Sequence, residues 1–165
     1  CDPAKGYGFV LSASASSADC NAAVEAAGLA FTDKTPYARR DIFLKAASLL
    51  DTEEWRAHVV QTTVEETGCT PVWASLALSA AATIRIMASF ANDLTGKTFM
   101  SATVPGMSCV MEQRAMGIWH CPWNAPFTLT IRAFGIPLIC GSTVVIKSSE
   151  FNPRTQALAI QLFHE

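Results

Sequence analysis

Charge is scarce in this chain of 165 residues: Asp, Glu, Lys and Arg make up 16% of it against 50% apolar residues, and the net charge is -2. A soluble domain ordinarily carries about 25% charged residues. The shortfall predicts apolar surface buried beyond that of a free monomer, so a homo-oligomer is expected. The 12 Lys and Arg are scattered rather than striped, which leaves no electrostatic footprint for a nucleic acid partner. The longest weakly polar stretch, 71–91, is rich in Ala and Ser and carries Arg85. It falls short of the apolar run a bilayer span needs, and a buried helix is expected there, with no membrane partner. No basic n-region with an apolar h-region opens the chain, so a cytoplasmic location is expected. Cys1 in place of an initiating Met implies a start that was trimmed or lies upstream.

The 6 cysteines, Cys1, Cys20, Cys69, Cys109, Cys121 and Cys140, never form CxxC and lack zinc-module spacing. Reduced, mostly buried thiols and no metal site are expected. No repeat, low-complexity tract or linker divides the chain. One core is therefore expected over 1–165, with 1–96 mainly helical, 97–116 a hairpin and 117–165 strand, helix, strand, helix.

What is present is periodic. After an extended segment over 1–15, Ser16 and Asp19 form a capping box and Ala23, Val24, Ala27 and Phe31 follow at helical spacing, predicting a helix from Ala18 to Phe31. Thr35-Pro36 opens a second helix with Ile42, Phe43, Ala46, Leu49 and Leu50 on one stripe. Asp51 and Glu54 predict the cap of a third, which carries Trp55, Val59, Val60 and Val64 and ends at Gly68. A long Ala-rich helix with Trp73, Leu76, Ala80, Ile84, Met87 and Phe90 on one face is closed by Gly96.

The period then shortens. Thr98–Val104 and Ser108–Ala115 flank Pro105-Gly106 and read as a hairpin. A strand through Gly117-Ile118-Trp119, a helix from Pro126 to Ile136, a β-branched strand Thr143–Ile146 and a helix from Asn152-Pro153 complete the chain. The last helix carries Ala157, Leu158, Ile160 and Leu162, and the crossover is long enough to make the two strands parallel. The fold class is α/β, a helical bundle layered on an incomplete parallel, Rossmann-like sheet with a hairpin.

Ligands of such sheets sit at the carboxyl ends of the strands. His120-Cys121-Pro122-Trp123-Asn124 ends one strand and Lys147-Ser148-Ser149-Glu150 the next, so polar groups converge on one edge. Pro122-Trp123-Asn124-Ala125-Pro126-Phe127, then Gly141 through Glu150, then Pro153, resemble the PWN…GNTVVxKxSE…P signature of the NAD(P)-dependent aldehyde dehydrogenase superfamily. Ala22–Ala27, Arg40, Ala46-Ala47 and Glu65-Glu66-Thr67-Gly68 match that family's N-terminal helices in order and spacing. Arg132-Ala133 and Pro137-Leu138 are most similar to the salicylaldehyde and vanillin dehydrogenase branch.

The resemblance implies that Asn124 is the amide that stabilises a substrate oxyanion and that Lys147 and Glu150 hold the adenosine ribose of NAD. An amide N–H suits a developing alkoxide, a cation and a carboxylate bracket a diol, and Glu150 disfavours a 2′-phosphate. It also implies that the glycine-rich turn, the general-base glutamate and the nucleophilic cysteine lie beyond the point matching Glu165. Gln113 and Ala115 replace a usual Pro and Gly, Ser142 a usual Asn and Ser148 a frequent Pro.

Each residue has a second reading. Cys121 with His120 is a nucleophile and base, or Cys121 is a small buried hydrophobe, since neighbours on a strand face opposite ways. Trp119 and Trp123 stack on an aromatic ligand, Trp123 also on the cofactor, or both belong to the core or to an interface. Asn124 is an oxyanion donor or a helix cap, Lys147 and Glu150 a ribose clamp or a solvated pair. Met100, Met107, Met111 and Met116 read as packing. Two functions are expected in consequence. One is a non-redox catalyst (cyclisation, aldol-type or isomerisation) acting on a carbonyl or aromatic metabolite without a required cofactor. The other is an N-terminal piece of an NAD-dependent aromatic aldehyde dehydrogenase, or a non-catalytic oligomerising module derived from one.

Overall fold

The computed structural model describes residues 14–30, 34–94, 97–100, 103–106, 108–111 and 116–165. Its helices are α1 (Ser17–Leu29), α2 (Pro36–Leu50), α3 (Glu53–Thr67), α4 (Pro71–Ala74), α5 (Ala80–Ser89), α6 (Pro126–Ile139) and α7 (Pro153–Gln161). Its strands are β1 (Lys97–Met100), β2 (Ser108–Met111), β3 (Met116–His120) and β4 (Thr143–Lys147). β1 pairs antiparallel with β2, and β3 pairs parallel with β4, so the expected α/β arrangement is the observed one. The extended segment expected at 1–15 falls outside the described residues but for its last two, and the expected stop at Gly96 falls outside entirely.

Local chemistry explains most boundaries. Ser16 accepts from Asp19 N while the Asp19 carboxylate accepts from Ser16 N at 2.8 Å, closing the expected capping box. α1 buries no residue fully, yet its half-buried positions are Ala23, Val24 and Ala27, the expected face, and it lies along β4. Thr35 caps α2 and Gly68, at φ 69°, ends α3. The cap of α3 is Thr52 rather than Asp51: Thr52 Oγ1 accepts from Trp55 N, and the Asp51 carboxylate instead pairs with Arg85 of α5. A carboxylate next to a competent threonine is free to answer a distant cation, which local spacing does not show.

The expected long helix is a composite. α4 passes through a 3-10 segment, Ser75–Ser79, into α5, and a second 3-10 turn, Phe90–Asn92, closes it. The continuous run Pro71–Asn92 is 22 residues and holds an 18-residue window of mean hydropathy 1.5, long and apolar enough by length and composition to cross a membrane, which corrects the expectation that it falls short. In this fold it packs as a core element, burying Ala80, Ala81, Ile84, Met87 and Ala88 against α2 and α6. The change of helical pitch rotates the stripe, so Trp73, Leu76 and Phe90 are exposed rather than buried.

α6 runs three residues past its expected end at Ile136. Pro137 lacks the N–H that an interior turn needs, but the end is set further on. Gly141, at φ 88°, donates to Leu138 O while Ser142 N donates to Pro137 O, the Schellman pattern, and Arg39 Nε donates to Ile139 O at 2.9 Å. Phe43, Leu50, Ile84, Phe127, Ile131 and Ile139 form the centre where α2, α5 and α6 meet. Leu158 on α7 and Leu162 just past its end join this core, while Ile160 is half-buried and Ala157 is exposed. The hairpin turn carries Gly106 at φ 80°, the conformation a Pro-Gly type II turn requires. Met100 is 75% exposed, so it does not pack as expected.

Candidate functional site

The register His120↔Lys147, extended by Cys121 N donating to Lys147 O at 3.1 Å, brings the two strand ends level. The chain leaves the sheet there in two loops, and between them and the α3–α4 turn lies a cleft of about 730 Å³. One wall is Trp123 and Asn124, following β3. A second is Glu150, Phe151 and Asn152, following β4. Glu66, Thr67 and Cys69, with Trp73 of α4, make the third. The Trp123 and Phe151 rings meet at 6.2 Å between centroids and 65°, closing one end of the cleft with an edge-to-face pair.

Lys147 Nζ stands 3.5 Å from Glu150 Oε2, both side chains more than half exposed. Glu150's own backbone N–H, then the Lys147 charge and to a lesser degree His120, hold its carboxyl below the ordinary carboxylate range. It is therefore anionic at neutral pH. An exposed cation and carboxylate side by side on a cleft rim is a donor and acceptor set that fits a vicinal diol.

Asn124 is exposed on the cleft wall and does not cap α6: the N-cap is Ala125, with no side-chain hydrogen bond, because Asn124 lies one residue too early. The capping alternative is thereby corrected, and the amide is left to the cleft.

His120 and Cys121 are not presented to one space. His120 is exposed at the strand end, whereas Cys121 is 1% exposed and lines no part of the cleft. Burial pushes the Cys121 thiol up, and the Thr130 hydroxyl beside it only partly opposes this. A buried thiol held protonated is a poor nucleophile, so the structure supports the packing reading of Cys121. Iodoacetamide applied to the native chain is expected to modify the exposed Cys20 and Cys140 and to spare Cys121 until denaturant is added. Labelling of Cys121 as fast as Cys20, read by peptide mass mapping, would restore it as a candidate. Trp119 lies on β3 opposite Ile146, and its side chain is outside the described set.

Two residues escaped the sequence reading. The Glu66 carboxylate, 7% exposed, accepts from Arg154 N at 2.8 Å, Thr155 N at 2.7 Å and Thr155 Oγ1 at 2.6 Å. It caps α7 from another helix, in place of the sequence-local Asn152, whose side chain makes no cap bond. Gln156, fully buried, accepts from Ser149 N at 2.6 Å and donates to Pro122 O at 3.0 Å. Position 66, within Glu65-Glu66-Thr67-Gly68, carried a sequence signal through the family match; Gln156 carried none.

The aldehyde dehydrogenase family model matches residues 1–165. Vanillin dehydrogenase from Pseudomonas sp. (strain HR199 / DSM 7063) is 37% identical over 159 residues, covering 93% of this chain and 32% of its own length. Salicylaldehyde dehydrogenase from Pseudomonas putida is 35% identical over 159 residues, again 93% of this chain and 32% of the relative. Among solved structures, an NAD-dependent benzaldehyde dehydrogenase from Corynebacterium glutamicum superposes with TM-score 0.81 at 32% identity, over 94% of this chain and 35% of that one. A salicylaldehyde dehydrogenase from Pseudomonas putida G7, complexed with salicylaldehyde, gives TM-score 0.78 at 31% identity, over 89% and 31%. The chain thus spans about a third of the length of the relatives it matches. With the family model covering all of it, the chain belongs to the aldehyde dehydrogenase family.

Proposed function

We propose that this chain supplies the nucleotide-holding and oxyanion-stabilising side of an NAD-dependent dehydrogenase of aromatic aldehydes. The observation that carries this reading is the convergence of Trp123, Asn124 and Glu150 on one cleft, with Lys147 paired to Glu150 on its rim. Lys147 and Glu150 would hold the ribose hydroxyls of NAD, and Trp123 would cover the half of the dinucleotide beyond them. Bound NAD supplies the hydride acceptor. Asn124 directs its amide N–H at the aldehyde oxygen, where negative charge grows as the carbonyl carbon becomes tetrahedral; a fixed donor there lowers the barrier without solvent reorganisation. Aromatic aldehydes are proposed because the named relatives act on them and because Trp73, Trp123 and Phe151 line the cleft. A homo-oligomer and a cytoplasmic location belong to the same proposal. The first draws support from exposed Ile118 on the sheet and exposed Leu76 and Ile86 on the Ala-rich helical run, the second from the unpaired thiols of Cys20, Cys69, Cys121 and Cys140. No observation on the fold favours the non-redox alternative.

Calorimetry tests the nucleotide part directly. NAD is expected to bind, NADP more weakly because Glu150 repels the 2′-phosphate, and Lys147→Ala to weaken NAD roughly tenfold, the loss of one charge-assisted hydrogen bond. Unchanged affinity in Lys147→Ala, or preference for NADP, would overturn the ribose assignment.

A further inference from the structure

All three walls of the cleft are fastened to the first turn of α7. Glu66, on the α3 wall, accepts from the backbone N–H groups of Arg154 and Thr155. Ser149, one residue before Glu150, donates its N–H to Gln156 Oε1, and Pro122, one residue before Trp123, receives the N–H of Gln156 Nε2. The Gln156 amide is thus a single rigid bridge between the loop that carries the ribose clamp and the loop that carries Trp123 and Asn124. It is fully buried, so water does not compete for either bond.

The two loops have few other ties. Beyond the last ladder bond, Cys121 N to Lys147 O, the interactions found across them among the described residues are the Trp123–Phe151 ring pair and a minor electrostatic influence of His120 on Glu150. Both rings are themselves about 60% exposed. An exposed ring pair tolerates sliding; two short hydrogen bonds from one planar amide do not.

We infer that Gln156 is a positioning residue that sets the span between the Lys147–Glu150 end and the Trp123–Asn124 end of the cleft, and so the fit of a ligand long enough to touch both. The inference rests on the dinucleotide reading above. Gln156 touches no part of the cleft itself and acts only through Pro122 and Ser149. Its effect falls on ligands that bridge the loops and spares those held by one loop alone. NAD is of the first kind and AMP, which carries only the adenosine ribose end, of the second.

The experiment compares NAD and AMP binding to the full chain, by calorimetry, in the unmodified protein, in Gln156→Leu and in Gln156→Glu. Leucine removes both bonds at similar volume. Glutamate keeps an acceptor for Ser149 N but, when ionised, has no proton to give Pro122 O. In both variants NAD is expected to weaken about tenfold while AMP stays within about twofold of its original affinity. Loss of folded protein alone would weaken both nucleotides by one factor, so the ratio separates positioning from stability. Deuterium exchange adds a readout free of nucleotide: peptides covering 121–124 and 148–151 are expected to exchange faster in Gln156→Leu, with those of α2 and α5 unchanged. If the unmodified chain binds neither nucleotide, the proposed function falls. If it binds both, and the NAD to AMP ratio and loop exchange are unaltered in both variants, the role of Gln156 is overturned while the proposed function stands.

Discussion

Replacing Glu66 with alanine is expected to destabilise the fold by roughly 3 to 4 kcal/mol, seen as a melting temperature lower by about 10 °C. The carboxylate is 7% exposed and accepts three hydrogen bonds from the start of α7. Charge-assisted bonds of this kind contribute about 1.5 to 3 kcal/mol each, and they are not additive within one cluster. Removing the acceptor takes away the partner that the Thr155 backbone N–H and hydroxyl share, and Thr155 is fully buried. The negative charge at the positive end of the α7 dipole goes with it. Asn152 is in place to offer partial relief, since its Oδ1 is buried and unpartnered. Glu66→Gln keeps one acceptor oxygen and should cost about half as much. An alanine variant that melts within about 2 °C of the parent would show that the cap is dispensable. Glu65 next to it is a lesser matter: Gln61 first, and Arg154 at 2.9 Å, hold its carboxyl below the ordinary range, but the pair is more than a third exposed and screened by water.

Phe134→Ala should destabilise by about 3 to 5 kcal/mol, the range for deleting a buried aromatic side chain. Phe134 is 3% exposed, and the Phe163 ring stands edge-on to both Phe134 and Phe43, each pair at 5.0 Å between centroids. The loss combines the transfer free energy of the ring, the void it leaves and the edge-to-face contact, which adds about 0.5 to 1.5 kcal/mol beyond area burial. Collapse into the gap is limited. Gly135 next to Phe134 sits close under α5, where a Cβ built on it would lie 2.4 Å from the Met87 sulfur, so the two helices already approach closely at this seam. Chemical denaturation of the variant reads the number. A loss under about 1 kcal/mol would mean that the neighbouring apolar cavity of about 420 Å³, which Phe134 also lines, absorbs the change.

Both effects were hidden from the sequence in different degrees. Phe134 lies in an apolar helical stretch, and its burial follows once α6 is placed. Glu66 lies at the end of a helix that the sequence describes only by its apolar stripe and its stop, and its partners are 88 and 89 residues away.

Elements whose causes are local were legible in the residues themselves. Caps at Ser16 and Thr35, the left-handed stop at Gly68, the turn at Pro105-Gly106 and the parallel pairing of β3 with β4 all follow from side chains within a few positions, or from crossover length. So did the place where Trp123, Asn124 and Glu150 converge, because parallel strands deliver their carboxyl ends to one edge. Tertiary structure alone decided which groups meet across the chain. It gave Asp51 to Arg85 instead of to α3, sent Cys121 inward while His120 stayed in water, and let Glu66 displace Asn152 as the cap of α7. It also made Gln156 the bridge between the two cleft loops. Periodicity and capping depend on neighbours a turn away, whereas a buried carboxylate or amide takes whichever donors and acceptors packing brings within about 3 Å.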